Sequence, residues 1–161
     1  MKFQVLNRTQ AKKYTFQQHN HKYIMISIAD LDNTANRFNK SPELVDVLHL
    51  WFNDEEKPNP TCIKPEDAQK IIAFINKYVD VVDEIVVHCE AGVSRSAGVC
   101  AAIMYIILGD DKYIFDNPRF CPNMTCYTSV LTAYFGGYDQ QEVDRKEAHS
   151  IEVWRKANGL D

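Results

Sequence analysis

Cys89 and Arg95 stand six positions apart in His88-Cys89-Glu90-Ala91-Gly92-Val93-Ser94-Arg95-Ser96, and those residue types at that spacing suit attack on an anion. If Glu90, Ala91, Gly92, Val93, Ser94 and Arg95 curl round one centre, their backbone N–H groups converge there and form a pocket for a tetrahedral dianion. Arg95 can grip two equatorial oxygens through its planar fork, a geometry that lysine lacks. Cys89 then lies beneath the anion, where the field that binds phosphate also favours thiolate, the nucleophilic form of cysteine. Gly92 permits a turn or close backbone approach that a side chain would obstruct. Ser96 can offer its hydroxyl to the Cys89 sulfur and stabilise it as a leaving group. His88 reads mainly as a support that hydrogen-bonds backbone and holds the shape of the loop.

Such a loop needs a strand to deliver the cysteine and a helix that starts near the arginine, so that the positive end of the helix faces the centre. The flanking sequence meets both needs. Glu84 to His88 reads as a short apolar strand, and about Ser94 to Leu108 as an apolar helix, whose run from Ala97 to Leu108 is too short to cross a membrane. Two more strands are read at Tyr23 to Ile28 and Val45 to Phe52, both rich in β-branched or aromatic residues. A helix is expected over Pro65 to Val79, where Ala68, Ile71, Ile72, Ile75, Tyr78 and Val79 recur at helical spacing. Others follow over Asn123 to Phe135, closed by Gly136 and Gly137, and over about Gln140 to Lys156. On the last, Val143, Glu147, Ile151 and Trp154 form a stripe read as core or as a partner face. Strands alternating with helices predict an α/β sandwich with a central, mostly parallel sheet flanked by helices. With 161 residues and no repeat or linker, the expectation is one catalytic domain over 1–161.

With these elements in place, His-Cys-x5-Arg-Ser resembles the signature of the cysteine-dependent protein tyrosine phosphatases, in particular their small dual-specificity-like branch. In Trp51-Phe52-Asn53-Asp54-Glu55-Glu56, Asp54 lies 35 residues before Cys89. It matches the acidic residue that this branch carries on a mobile loop to protonate the leaving oxygen, with Glu55 and Glu56 as alternatives. Arg119-Phe120-Cys121-Pro122-Asn123 is similar to the arginine and Pro-Asn segment that opens the next helix in that branch, which makes Asn123 a supporting residue. The three segments run in the family's order over about residues 23–135. A Trp-Pro-Asp triplet, typical of the larger tyrosine-specific enzymes, is absent. The resemblance implies phosphoryl transfer through a cysteinyl phosphate, with Asp54 as acid and then base, and with no metal or other cofactor.

A competing pattern lies in Asp30-Leu31-Asp32-Asn33-Thr34, which resembles the opening motif of haloacid-dehalogenase-type hydrolases, with Gly109-Asp110-Asp111 as their closing acidic pair. It would make the chain an aspartate-based, Mg²⁺-dependent phosphohydrolase. That family needs the closing pair after a strand, whereas here it follows the long apolar helix. A further alternative is a pseudophosphatase that binds phosphate without turning it over, although binding alone needs no nucleophile. The 18 Lys and Arg against 22 Asp and Glu, a formal net charge of -4, disfavour a general polyanion binder, so neither nucleic acid nor membrane is an expected partner. Five cysteines without a C-x-x-C pair suggest reduced thiols and a cytoplasmic location. The variable loop positions Glu90, Ala91, Val93 and Ser94 carry no lysine, which suits a singly phosphorylated substrate. Phosphotyrosine-type monoesters, in a protein or a small molecule, are favoured, with phosphoserine and phosphothreonine open.

Overall fold

Tyr23–Ala29 and Glu84–His88 are buried at every position, as befits strands at the centre of a sheet covered on both faces. A computed structural model describes residues 1–160; Asp161, the last residue of the span expected to form one domain, lies outside the described residues. Along the chain run β1 (Lys2–Leu6), α1 (Arg8–Phe16), β2 (Tyr23–Ala29), β3 (Leu44–Trp51), α2 (Pro65–Tyr78) and β4 (Glu84–His88). They are followed by α3 (Arg95–Leu108), α4 (Lys112–Phe115), α5 (Met124–Phe135) and α6 (Gln140–Ala157). The sheet has the order β1-β4-β2-β3, and every pair is parallel, with Leu6 beside His88 and Ser27 beside both His88 and His49. This is the α/β sandwich expected from the alternation of strands and helices.

Strand alternation separates two layers of core. Ile24, Ile26, Ile28, Ile85 and Val87 join the larger cluster with Ile71 of α2, Val99 of α3 and Val130 of α5. Tyr23, Met25 and Val86 form a smaller cluster with Ala11 of α1, and Phe38 packs against it. The connection from β2 to β3, residues 30–43, crosses without a helix, although parallel neighbours are usually joined through one.

Three elements were not legible in the sequence. β1 is an edge strand of five residues, and α1 buries only Ala11 and Thr15, so neither shows a strong apolar period. The available signal for α1 was its capping box, in which Asn7 and Gln10 exchange side-chain and backbone bonds. α4 is a single turn. The stripe on α6 is not core along its length: Val143 is buried, but Ile151 is 52% exposed and Trp154 38%, and the other buried position is Ser150. No helix among the described residues is long and apolar enough to cross a membrane.

Candidate active site

Parallel strands bring their C-terminal ends to one side of the sheet, where ligands of open α/β folds bind. Here β4 delivers Cys89, β2 delivers Asp30, β3 delivers Phe52 to Asp54, and β1 delivers Asn7. Between β4 and α3 the segment from Glu90 to Ser94 forms no regular element. Three of its carbonyls are taken by backbone N–H groups outside the loop. Glu90 O accepts from Arg8 N at 3.2 Å, Val93 O from Cys121 N at 3.0 Å, and Ser94 O from Asn123 N at 3.0 Å. Among the described residues no N–H from Glu90 to Arg95 has a protein acceptor, so these donors are left for an anion. Gly92 has φ +68°, and a Cβ there would lie 2.6 Å from Asn7 N and 2.7 Å from Leu6 C. The loop therefore rests on the end of β1, a support the sequence reading lacked.

Cys89 is 2% exposed and its Sγ lies 3.0 Å from Ser96 Oγ. Arg95, at the first turn of α3, is 5% exposed. Its Nη1 donates to Asp30 Oδ1 at 2.6 Å and to Phe52 O at 2.8 Å. Its Nε is buried and has no protein partner among the described residues. The positive end of α3 faces the same centre.

Asp54 meets the loop from the other side. Its Oδ1 accepts from Ser94 Oγ at 2.8 Å and from Asn123 Nδ2 at 2.8 Å. Asn123 Nδ2 also donates to Glu55 O at 2.9 Å, while Asn123 Oδ1 caps α5 by accepting from Cys126 N. Thr125 Oγ1 donates to Glu56 O at 2.9 Å, so the acidic segment is tied to the start of α5 through two residues. Glu55 turns its carboxylate to Thr61 Oγ1 instead. A cleft of about 490 Å³ opens beside Asp54 and Ser94, with Glu56, Met124, Glu147 and Ile151 on its walls. α3 and α5 approach closely enough for Asn123 to reach Asp54 because position 98 is glycine: a Cβ there would lie 2.3 Å from Asn123 O.

His88 is fully buried and holds the carbonyl of the nucleophile candidate. Its Nδ1 lies 3.1 Å from Cys89 O and its Nε2 2.7 Å from Ser27 Oγ. Burial pulls the imidazole down from 6.5 to about 4, a cationic Arg8 and Lys12 adding to the effect, while the bond to Cys89 O opposes it. A neutral ring must then donate from Nδ1 to the carbonyl and accept at Nε2 from the Ser27 hydroxyl. Ser27 Oγ in turn accepts from Asn36 Nδ2 at 3.2 Å, and Asn36 Oδ1 from Arg8 Nε at 2.9 Å. Ser27, Asn36 and Arg8 escaped the sequence reading because polar residues in a strand, an irregular loop and a weak helix carry no spacing signal.

The aspartates of the competing metal-dependent pattern are separated by their partners. Asp30 is engaged with Arg95, whereas Asp111 is buried against Tyr127 OH at 2.5 Å and Lys146 Nζ at 2.8 Å. Asp111 follows helix α3, and no group of three or more His, Cys, Asp and Glu among the described residues could hold a metal ion.

A model of the protein-tyrosine phosphatase family matches residues 3–125. Among solved structures, the human tyrosine phosphatase-like serine/threonine/tyrosine-interacting protein is similar over 98% of this chain and 92% of that one, with a TM-score of 0.51 and 17% identity. Human DUSP28 aligns over 99% and 95%, with a TM-score of 0.49 and 11% identity. A mouse putative dual specificity phosphatase aligns over 94% and 83%, with a TM-score of 0.46 and 14% identity. No curated protein matches the sequence at a significant level.

Proposed function

The chain belongs to the protein-tyrosine phosphatase family, and from that premise we propose that it is an active phosphatase of the small dual-specificity-like kind, which hydrolyses phosphate monoesters through a cysteinyl phosphate. The observation that carries this reading is the run of N–H groups from Glu90 to Arg95 without protein acceptors, set beside Cys89. Such an array stabilises charge on a phosphoryl group wherever it develops, because the donors are already aimed and need no reorganisation. The unpartnered Arg95 Nε adds a charged donor to it.

In the first step Cys89 thiolate attacks phosphorus in line, and the bond to the leaving oxygen breaks as Asp54 gives that oxygen a proton. Oδ1 of Asp54 already accepts two hydrogen bonds, which leaves Oδ2 to carry the proton. In the second step the ionised Asp54 takes a proton from water, water oxygen bonds to phosphorus, and the sulfur departs as thiolate. Ser96 Oγ, 3.0 Å from Cys89 Sγ, supports that departure by donating to the sulfur. The amides of Glu90, Ala91, Gly92, Val93, Ser94 and Arg95 and the Arg95 guanidinium hold the three equatorial oxygens throughout. His88 and Asn123 support the loop and the acid respectively.

Glu56 and Glu147 on the cleft walls and Glu90 in the loop favour a singly phosphorylated substrate without further anionic groups, such as a phosphotyrosine-type monoester. Phosphoserine and phosphothreonine substrates require the reacting phosphorus to approach Cys89 from a shorter side chain. The whole span 1–161 is proposed to act as one catalytic domain on a phosphorylated protein or small phosphomonoester.

Hydrolysis of p-nitrophenyl phosphate between pH 5 and 8 tests the reading, with and without EDTA. Wild type is expected to turn over in both conditions, Cys89→Ser to be inactive, and Asp54→Asn to lose about 100-fold or more in kcat with little change in KM. Phosphate binding without turnover by wild type would favour the pseudophosphatase. Activity that needed Mg²⁺ and survived Cys89→Ser would favour the aspartate-based alternative, and Asp54→Asn within about threefold of wild type would move the acid role to Glu55 or Glu56.

A further inference from the structure

We infer that the cleft beside the loop receives the chain of a phosphoprotein next to its phosphorylated residue, and that Glu56 and Glu147 select a lysine or arginine there; this rests on the phosphatase reading above. The cleft is continuous with the candidate site, since Asp54 and Ser94 line it, and at about 490 Å³ it has room for a long side chain. Its other walls come from the acidic segment after β3, which supplies Glu56, and from α5 and α6, which supply Met124, Glu147 and Ile151. A peptide held by its phosphate over Cys89 that leaves the loop past Asp54 and Ser94 enters this cleft. Ile151, 52% exposed on α6, then has a use that core packing does not give it.

The charge on these walls is not balanced from within. Among the described residues neither the Glu56 nor the Glu147 carboxylate has an ion-pair partner, and Glu56 is tied to Thr125 through its backbone carbonyl alone. Elsewhere α6 supplies its own cations: Glu142 pairs with Lys146 at 3.4 Å and Glu152 with Lys156 at 3.0 Å, each four residues on. Four residues after Glu147 stands Ile151, an apolar side chain where a lysine would cancel the charge. Two like charges on the walls of one cleft draw a cation from outside and repel an acidic neighbour. Lysine and arginine match both parts of the wall, because their methylene stems lie along apolar surface while the charged head stays polar. The stem rests on Met124 and Ile151, and the head reaches Glu56 and Glu147.

The test uses two phosphotyrosine peptides of one length, flanked on both sides by lysine or by glutamate. It reads the ratio of their kcat/KM values on each enzyme, so that any change in basal turnover cancels. Wild type is expected to favour the lysine peptide by about 10-fold at low salt, through KM, with the ratio falling toward one as salt screens the walls. Glu147→Gln is expected to lower the ratio about threefold and Glu147→Lys to bring it to about one or below. Asp80→Lys, the same charge change at an exposed position between α2 and β4, at the opposite end of the sheet from Cys89, is expected to keep the wild-type ratio. A wild-type ratio near one would overturn the inference, as would an equal fall in Asp80→Lys and Glu147→Lys. A second readout needs no turnover: Cys121 lines the same cleft and is the exposed thiol among the five cysteines. In Cys89→Ser the lysine peptide is expected to slow alkylation of Cys121 by iodoacetamide about threefold at twice its dissociation constant, and the glutamate peptide to have no effect; equal alkylation with both would also overturn it. Wild type that hydrolyses neither these peptides nor p-nitrophenyl phosphate, with Cys121 still protected by the lysine peptide, would instead sink the phosphatase reading and leave the cleft assignment standing.

Discussion

At His88 an imidazole sits where water does not reach, and its neutrality follows from that burial. Its folded pKa of about 4 lies below the 6.5 of an exposed histidine. Between those values the unfolded chain binds a proton that the folded chain refuses, so stability is full above about pH 6.5 and is lost as pH falls toward 4. The shift corresponds to about 3 kcal/mol across the window. Urea denaturation of wild type is expected to show this loss between pH 7 and pH 4, with a markedly flatter profile in His88→Asn; parallel profiles would remove His88 as the cause. Residue chemistry was the most legible level in the sequence. Cys89, Arg95 and Ser96 lie within one short segment, and their spacing announces the loop. Asp30 was equally visible but attached to the wrong chemistry, since a strand-end aspartate reads alike whether it faces a metal or an arginine.

The helices matter to the site through the gap between α3 and α5. Asn123 serves two elements at once, capping α5 with its Oδ1 and holding Asp54 with its Nδ2. It can do so only while position 98 has no side chain. Gly98→Ala is expected to force α3 and α5 apart, cost about 1–3 kcal/mol of stability and lower kcat through Asp54. Thermal unfolding and p-nitrophenyl phosphate kinetics would check this, and an unchanged kcat in a destabilised variant would show that Asp54 does not depend on Asn123. None of this coupling was readable from the chain. The long helices α2, α3, α5 and α6 announce themselves through apolar period or caps. The distance between two helix axes depends on which small residue meets which backbone atom, and that is settled only once both are placed.

The molecule as a whole converts four strand ends into one site. Because β1, β4, β2 and β3 run parallel, Asn7, Cys89, Asp30 and Phe52 arrive on the same side although they are scattered through the first 89 residues. The parallel sheet was legible from alternating strands and helices, but β1 was not, and with it went the backbone floor under Gly92. An oxyanion on the loop should stabilise the whole sheet by mass action. At 100 times its dissociation constant, tungstate is expected to add about 2.7 kcal/mol, or about 5–10 °C in thermal midpoint. Cys89→Ser should retain that shift and Arg95→Ala should lose most of it; an equal shift in Arg95→Ala would place the anion elsewhere.

The seating of Gly92 on Leu6 and Asn7 also bears on how the protein opens and closes. β1 is an edge strand, so in most sheets it would be the first to fray and the least protected from hydrogen exchange. Here its end is trapped beneath the loop that would carry the ligand. Filling that loop should slow amide exchange in Lys2–Leu6 together with the central strands, turning a peripheral strand into a reporter of occupancy in the loop that rests on its end.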